Sequence, residues 1–387
     1  MTTTINNEHK KLNVPNLRFP EFQGEWEKCA LENLSTEIGD GIHATPLYDD
    51  NGTYYFVNGN NISEYGITIT PTTQRVTEAE AYRNNANILC SKTILLSING
   101  TIGNVALYKG EPIMLGKSAC YINVSTKVNK HYIFHYLMMP KCQFYFTSEL
   151  TGTTIKNLSL KSVRRTKVSL PNLKEQNRIA QLFDAINERI VTQNKIIEDL
   201  KKLKSAIRKK MFSLLKDEYT ESFEINQLLD YEQPTAYIVA NDEYSTDTSL
   251  TPVLTANKGF ILGYTDEKFG IYQKGECIIF DDFTMDAKYV SFPFKVKSSA
   301  IKILTAKPNV NLRFMFEYLS YWELKSEEHK RHYISEIASL VIELPSKERQ
   351  SIIASLMTSL NSKLDIEAKT KIRYEEQKRY LLSQMFI

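Results

Sequence analysis

The chain has 387 residues, of which 42% are hydrophobic and 24% are charged, and its formal net charge is +3. This composition excludes a disordered or fibrous chain, and the length suits two globular domains of ordinary size. No apolar run is long enough to span a membrane, and residues 1–14 are polar, unlike a secretory signal. The five cysteines are scattered without a CxxC pair. They predict reduced thiols in a cytoplasmic protein and argue against a disulfide framework or a zinc site.

A first globular domain is predicted over residues 22–169, after an N-terminal tail of residues 1–21. Strands are expected where short apolar runs are separated by Asn-Gly and Gly-rich turns, at Thr53–Val57, Thr93–Ile98, Val105–Tyr108 and Ala119–Val124. A helix is expected over Lys130–Leu150. Strands and a helix without regular βαβ alternation predict an α+β (mixed α/β) domain.

A long helix is predicted over residues 170–213. Apolar side chains recur there at intervals of three and four residues over about five heptads, and the segment after Pro171 contains no Gly or Pro. Its predicted apolar face consists of Ile179, Leu182, Ile186, Ile190, Leu200, Leu203 and Ile207. A helix of this length extends beyond one domain, so its apolar face needs a partner.

The second half of the chain repeats this plan, with a globular domain over residues 214–343 and a helix over residues 344–387. Strands are expected at Tyr237–Ala240, Gly259–Leu262, Glu276–Phe280 and Ala300–Leu304, and a shorter helix is expected near Leu312–Ser326. The predicted apolar face of the second long helix consists of Ile353, Leu356, Leu360, Leu364, Tyr374 and Leu381.

The two long helices are copies of one segment. Residues 170–212 align with residues 344–386 at an offset of 174 without a gap, and Gln176 falls on Gln350. The chain is therefore internally duplicated and is expected to have pseudo-two-fold symmetry. We expect the helices to form an antiparallel coiled coil; parallel pairing, pairing between molecules, and two ordinary core helices are the alternatives.

Positive charge is concentrated in one part of the chain. Residues 156–210 contain 15 Lys and Arg against 5 Asp and Glu, and the densest cluster is Lys201, Lys202, Lys204, Arg208, Lys209 and Lys210. Such a stripe is typical of a nucleic-acid binder, and equally of a solvated helix face.

Motifs of catalysis and metal binding are absent from the sequence. It has no GxxxxGK[ST] loop, no GxGxxG after a strand and no HExxH. His131 and His135 lie four residues apart without a carboxylate or cysteine at ligand spacing, so we interpret them as ordinary histidines. Asp281 and Asp282 are interpreted as a turn at the end of a strand. No catalytic residue, metal site or bound cofactor is predicted.

Polar side chains beside turn residues are the candidates for DNA contact. Lysines and arginines among them are expected to hold phosphates, because phosphate and sugar contacts outnumber base contacts in protein–DNA interfaces. The candidates in the first domain are His43, Thr45, Lys117, Thr153, Thr154, Lys156 and Asn157. Those in the second domain are Lys258, Tyr264, Thr284, Lys288, Lys297 and Arg331.

Several of these segments resemble one protein family. The opening from Val14 to Trp26 (VPNLRFPEFQGEW), the run from Gly152 to Ser159 (GTTIKNLS), and Leu170-Pro171 followed by Glu175-Gln176 resemble the specificity (S) subunits of type I restriction–modification systems. The second copy departs from this pattern, because Arg349 precedes Gln350 and no Gly-Thr-Thr comes before it.

The resemblance implies a non-catalytic DNA-binding subunit with two target recognition domains. Each domain would read one half of a bipartite site, and the paired helices would set the spacing. Two methyltransferase subunits using S-adenosylmethionine, and restriction subunits using ATP with Mg, would be the partners, so this chain would bind no cofactor itself. The alternatives are a coiled-coil scaffolding protein with two adaptor domains and a self-contained DNA-modifying enzyme, which the missing catalytic motifs disfavour.

Overall fold

The computed structural model describes residues 13–84, 86–152, 156–215, 220–256, 259–322 and 332–387. The chain divides into two compact units. Unit 1 comprises residues 1–195 together with 369–387, and unit 2 comprises residues 196–368. Each unit therefore contains one globular domain and parts of both long helices, whereas the sequence had suggested domains and helices as separate segments. None of the described helices has the length and apolar character needed to cross a membrane.

Unit 1 is built on a four-stranded antiparallel sheet of order β2-β10-β7-β8, with a three-stranded sheet β6-β3-β9 in which β3 and β9 are parallel. Its strands are β1 (Glu27–Ala30), β2 (Ser35–Asp40), β3 (Tyr54–Val57), β4 (Ile62–Ser63), β5 (Gly66–Ile67), β6 (Arg75–Val76), β7 (Thr93–Ser97), β8 (Val105–Leu107), β9 (Ile113–Leu115), β10 (Ala119–Val124), β11 (Leu150–Thr151), β12 (Asn157–Leu158) and β13 (Lys167–Leu170). Its helices are α1 (Glu78–Arg83), α2 (Lys130–Met138), α3 (Pro140–Ser148), α4 (Leu160–Arg165) and the first part of the long helix α5 (Leu173–Leu214).

The four strands expected in the first domain are confirmed as β3, β7, β8 and β10. The single helix expected over Lys130–Leu150 was wrong, because the segment forms α2 and α3. Met139 between them is extended, with φ −65° and ψ 147°, and Pro140 starts α3. A residue before proline is disfavoured in the helical conformation, so the break follows from Pro140.

Unit 2 repeats the same topology. Its four-stranded sheet has the order β15-β21-β18-β19, and in its three-stranded sheet β17-β16-β20 the pair β16 and β20 is parallel. The strands are β14 (Glu221–Glu224), β15 (Leu229–Glu232), β16 (Thr251–Leu254), β17 (Ile261–Thr265), β18 (Cys277–Asp281), β19 (Ala287–Val290), β20 (Lys295–Val296), β21 (Ile301–Ala306) and β22 (Val341–Leu344). The helices are α6 (Ile225–Leu228), α7 (Leu312–Tyr321) and the first part of α8 (Lys347–Met385).

Three of the four strands expected in the second domain are confirmed as β17, β18 and β21, although β17 begins two residues late. The strand expected at Tyr237–Ala240 was wrong. Pro234–Tyr237 forms a 3-10 turn, and beyond it Ile238 makes only an isolated bridge with Val296. The expected short helix is α7, and residues 323–331, where the prediction continued, lie outside the described residues.

A buried glutamine fixes the start of each long helix in the same way. Gln176 donates to the carbonyl of Pro171 at 2.8 Å and accepts from the backbone N–H of Asn129 at 3.0 Å. Gln350 donates to Pro345 at 2.9 Å and accepts from the N–H of Asn311 at 2.8 Å. Asn129 and Asn311 are the N-caps of α2 and α7. The duplication seen in the sequence therefore extends to individual hydrogen bonds.

Residues 13–21, the described part of the predicted N-terminal tail, pack onto unit 1. Arg18 makes a bidentate contact with Glu175, with Nε–Oε1 at 2.7 Å and Nη2–Oε2 at 2.8 Å. Glu175 is fully buried, and the same guanidinium donates to the carbonyls of Gln23 and Gly24. The hydrogen bond with Glu175 raises the pKa of Arg18. The opening segment thus supports the first turn of α5.

Within each unit, the beginning of one long helix packs beside the end of the other, so the two segments are antiparallel. In unit 1, Ile179 and Phe183 of α5 share a core with Leu382 of α8. In unit 2, Ile353 of α8 shares a core with Phe212 of α5.

Burial along the predicted apolar faces is greatest near the helix starts. Ile179, Ile186, Ile190 and Ile353 are buried; Leu182, Leu200, Ile207, Leu360, Leu364, Tyr374 and Leu381 are partly buried. The prediction was wrong for Leu203 and Leu356, which are 49% and 40% exposed. Met357 and Leu382, each one residue beyond a predicted position, are buried instead. Seven residues of an α-helix fall slightly short of two full turns, so the buried face moves gradually to neighbouring positions along the sequence.

Phe386 packs into a cluster of aromatic rings in unit 1. The ring of Phe386 lies 5.3 Å from that of Tyr132, 5.7 Å from Tyr136 and 5.5 Å from Phe183. Lys378 lies about two helical turns before Phe386. Its Nζ pairs with the Glu64 carboxylate at 2.6 Å. These contacts attach the last two turns of α8 to the first domain.

Phe386→Ala should lower the free energy of unfolding of unit 1 by about 3–5 kcal/mol, since it removes a buried ring from a packed cluster. Trp26 is buried in the same core, so its fluorescence during urea denaturation, in a Trp322→Phe background, reports this unit. The control is Phe144→Ala on α3, where the ring is 75% exposed. Equal losses in the two variants would contradict the anchoring role.

Candidate nucleic-acid interface

Four loops of unit 1 meet at one end of its sheets, and we call them the loop edge. They are the turn after β3 (residues 58–61), the β7–β8 loop (98–104), the β9–β10 turn (116–118) and the described part of the β11–β12 hairpin (151–152 and 156–157). The parallel pairing of β3 with β9 matters here, because parallel strands end on the same side of a sheet.

Short polar side chains hold these loops together. The Ser118 hydroxyl accepts from the N–H of Gly59 at 2.8 Å and donates to Asn58 Oδ1 at 3.0 Å. Thr101 donates to the carbonyl of Gly59 at 2.8 Å. The side chain of Asn61 accepts from the N–H of Asn58 at 3.0 Å. Three of the four loops are thereby joined at the turn after β3.

Glycine is required at the centre of this arrangement. A Cβ at Gly59 would lie 2.3 Å from Ser97 Oγ and 2.7 Å from the carbonyl oxygen of Asn99. Both distances are far below van der Waals contact, and the second atom belongs to the backbone. Only a residue without a side chain lets the turn approach the β7–β8 loop so closely.

The fourth loop joins through a pair of asparagines. Asn99 and Asn157 form an isolated antiparallel bridge, and the N–H of Leu158 donates to the carbonyl of Ile98 at 2.9 Å. In the amide orientation that satisfies both side chains, Asn99 donates to Asn157 Oδ1 at 2.9 Å and to the carbonyl of Lys156 at 3.1 Å. Lys156, which is exposed, is therefore held at the loop edge.

Three of the predicted DNA-contacting residues of unit 1 lie in the loop edge, and His43 and Thr45 follow a residue that bridges it. Lys117 is exposed in the β9–β10 turn, and Lys156 and Asn157 lie in the hairpin. His43 follows Ile42, which bridges Gly116, and its ring contacts Asp40 at 2.9 Å while remaining 72% exposed. Thr45 is exposed two residues further on. Thr153 and Thr154 lie outside the described residues.

Unit 2 has the corresponding turns at the ends of corresponding strands. Lys297 is exposed in the turn between β20 and β21, the equivalents of β9 and β10. Thr284 is exposed in the β18–β19 turn, which is equivalent to the β7–β8 loop. Lys288 on β19 and Tyr264 on β17 are both partly buried. Lys258 and Arg331 lie outside the described residues.

A buried ion pair supports the β18–β19 turn. Lys302 is fully buried on β21, and its Nζ lies 3.2 Å from Asp282 Oδ2 and donates to Gln233 Oε1 at 3.0 Å. Asp281, the preceding residue, accepts from the N–H groups of Phe283 and Thr284, each at 2.9 Å. The interpretation of the two aspartates as a strand-end turn is confirmed.

The paired histidines have a structural role between α2 and α5. His135 Nε2 lies 2.8 Å from Asp184 Oδ1, and His131 Nδ1 lies 2.7 Å from Asp184 Oδ2. Burial lowers the pKa of His135 despite its contact with the carboxylate. Burial favours the neutral form of Asp184, but the histidine contacts outweigh it and lower the pKa. Within the described residues, no group of three His, Cys, Asp or Glu side chains is placed to hold a metal ion.

The basic cluster on α5 is divided between side chains that contact α7 and side chains that are exposed. Arg208 donates to Glu317 Oε2 from Nε at 2.9 Å and from Nη2 at 2.6 Å, and Lys204 lies 3.8 Å from the same carboxylate. Burial lowers the pKa of Lys204. These two side chains attach α5 to α7 within unit 2, while Lys201 and Lys202 are exposed.

The most important polar residues of the loop edge were missed in the sequence. Asn58, Asn60 and Ser118 were not among the predicted sites, although an Asn-Gly-Asn-Asn turn follows directly after β3. Turn asparagines are common and usually structural, so this signal gained meaning only from its position beside the other loops.

Comparison with known proteins identifies relatives of both halves. Residues 23–202 and 218–376 match the family described as Type I restriction modification DNA specificity domain. The chain is 39% identical over 178 residues to the EcoR124I/EcoR124II specificity subunit of Escherichia coli, which covers 41% of this chain and 43% of that protein. It is 22% identical over 410 aligned positions to the putative type I restriction enzyme MjaX specificity subunit of Methanocaldococcus jannaschii, covering 97% and 96%.

The fold has a counterpart among solved structures. The S subunit of a type I restriction–modification system from M. genitalium superposes with a TM-score of 0.65 at 17% identity, covering 97% of this chain and 99% of that one. At this identity the likeness concerns the fold alone. The chain spans less than half of the E. coli relative and nearly the whole of the M. jannaschii relative.

Lys117→Ala should weaken binding to duplex DNA of any sequence and reduce the salt dependence of the binding constant by about one counterion, because it removes one phosphate contact. Lys156→Ala should behave in the same way. The measurement is the slope of log K against log salt concentration for the full chain, together with any subunits it needs to bind DNA. Lys141→Ala, exposed on α3 outside the loop edge, is the matched control. An unchanged slope in both test variants would remove these lysines from the DNA-binding face.

Proposed function

The chain belongs to the type I restriction–modification DNA specificity family, and we propose that it reads a two-part DNA sequence for a methyltransferase complex without taking part in catalysis. The observation that carries this proposal is the presence of the same sheet topology in both units, each with one parallel strand pair. Two recognition domains with the same topology in one chain fit a DNA target with two halves. Positive side chains at both, Lys117 and Lys297, fit a polyanionic ligand.

The long helices are proposed to set the distance between the two half-sites. α5 has 42 residues and α8 has 39, so each is about 60 Å long. Their starts are fixed to the recognition domains by Gln176 and Gln350. With each helix start fixed to its domain, the length of the helix in residues would set the spacer in base pairs.

Apolar side chains left exposed on the helices are proposed as the docking sites of two methyltransferase subunits. In unit 1, Val191 is 48% exposed and Ile372 is 52% exposed. In unit 2, Leu203 is 49% exposed. Burial of such residues drives most protein association. The partners would bring S-adenosylmethionine, and restriction subunits would bring ATP with Mg, in a cytoplasmic complex.

The purified chain alone should transfer no methyl group and cleave no DNA, whereas addition of its cognate methyltransferase subunit should produce site-specific methylation. The reason is that the proposal assigns all bond-breaking chemistry to partner subunits. The measurement is incorporation of labelled methyl groups from S-adenosylmethionine into plasmid DNA. The control is the methyltransferase subunit alone, and methylation by the purified chain without it would overturn the proposal.

Insertion of four residues after Lys195 of α5 together with four after Ala368 of α8 should lengthen the recognised spacer by one or two base pairs. Four residues add about 6 Å of helix, and one base pair adds about 3.4 Å. These points lie at the boundaries between the units, so the contacts inside each unit are kept. Methylation mapping in a host carrying the variant should show both half-sites unchanged. A variant with altered half-sites would contradict the role of the helices in spacing.

A further inference from the structure

Asn60 occupies an unusual position at the loop edge. Of the three asparagines in the turn after β3, Asn58 and Asn61 use their side chains to hold the turn, through the bonds from Ser118 Oγ and to the N–H of Asn58. Asn60 is exposed between them, and within the described part of the chain its amide makes no hydrogen bond. The turn is therefore rigid, while its tip carries a donor and an acceptor without partners.

The surroundings leave this amide accessible from one side. Gly100, in the β7–β8 loop, has φ +72°, and a Cβ there would lie 2.8 Å from Asn60 Oδ1. A side chain at Gly100 would meet the amide, so a glycine in the left-handed region both forms the loop and leaves room for Asn60. Thr101, the next residue, donates to the carbonyl of Gly59 and so fixes the two loops against each other.

An exposed asparagine amide on a rigid turn matches the hydrogen-bonding groups of one base. Adenine presents an acceptor, N7, and a donor, the N6 amino group, side by side in the major groove, and an asparagine amide matches both. Guanine presents two acceptors at the same edge, so an asparagine oxygen has no donor to meet there. The neighbouring lysines at the edge, Lys117 and Lys156, carry donors only and suit phosphates or guanine.

We propose that Asn60 reads one adenine of the half-site bound by unit 1, with Nδ2 donating to N7 and the N6 amino group donating to Oδ1. This inference rests on the proposed function, and it adds the base and the residue that recognises it. Lys117 and Lys156 position the domain on the backbone, and Asn60 supplies discrimination between bases.

The test uses the full chain assembled with its methyltransferase subunits, after methylation mapping has given the wild-type site. Each adenine of the site is replaced in turn by 7-deazaadenine, which lacks N7 but still pairs with thymine. Replacement of one particular adenine in one half-site should then weaken DNA binding by the wild-type complex roughly tenfold to a hundredfold. This is the range expected from one bidentate base contact.

The variants assign that contact to its residue. Asn60→Ala should bind natural DNA more weakly by a similar factor and should not respond further to 7-deazaadenine at that position. Asn60→Asp, nearly the same shape but without the donor to N7, should also be insensitive to it. Asn51→Ala, an exposed asparagine of unit 1 outside the loop edge, should behave as wild type.

The results that overturn the inference are distinct from those that overturn the proposed function. The inference fails if no adenine is sensitive to the replacement, if Asn60→Ala binds as tightly as wild type, or if its loss simply multiplies with that of 7-deazaadenine. In each case a wild-type complex that still methylates a two-part site leaves the proposed function standing. A wild-type complex without sequence-specific binding overturns both.

Discussion

The buried glutamine at the start of each long helix is the contact on which the architecture depends. Gln176 and Gln350 are each 2% exposed. Each accepts a hydrogen bond from the backbone N–H of the N-cap of a domain helix and donates one to the carbonyl of the proline before its own long helix. A buried amide loses free energy if either bond is missing, so the angle at which the helix leaves the domain is tightly constrained. The proposed role of the long helices in half-site spacing requires this constraint, because a flexible connection between helix and domain would allow many spacings.

The two units differ in the charged side chains that join α2 and α7 to the long helices. Unit 1 places the buried His135 against Asp184, whereas unit 2 places the buried Glu317 against Arg208 and Asn361. His135 and Glu317 occupy matching places in their helices, one before Tyr136 and one before Tyr318. Each helix segment therefore carries the charge its own unit needs, since exchanging the segments would leave a buried charge without its partner. The duplication keeps the backbone plan and differentiates the contacts.

Much of this plan could be predicted from the sequence, and the misses have physical reasons. The gapless repeat gave the helices their limits within a few residues, because periodic apolar positions are a strong local signal. Leu203 and Leu356 were misplaced because an isolated sequence does not say where a helix leaves one partner and meets another. The parallel pairs β3–β9 and β16–β20 could not be foreseen, since strands that are more than 40 residues apart in the sequence leave no local pattern that predicts their pairing. Lys117 and Lys156 were found as single polar residues, but their meeting at one edge is a tertiary property.

The loop edge separates support from recognition. Gly59, Ser118 and Thr101 form hydrogen bonds between loops, and Asn61 forms one within its own turn. Asn60 and the two lysines direct theirs outward. A change at an inner position breaks a bond or creates a clash, as a Cβ at Gly59 does, and so acts on the whole edge. In the role that we propose for Asn60, a change there would alter only the pattern of donors and acceptors presented to a base. A domain built in this way can acquire a new sequence preference through an outer residue while its fold, its helix joint and its spacing stay the same.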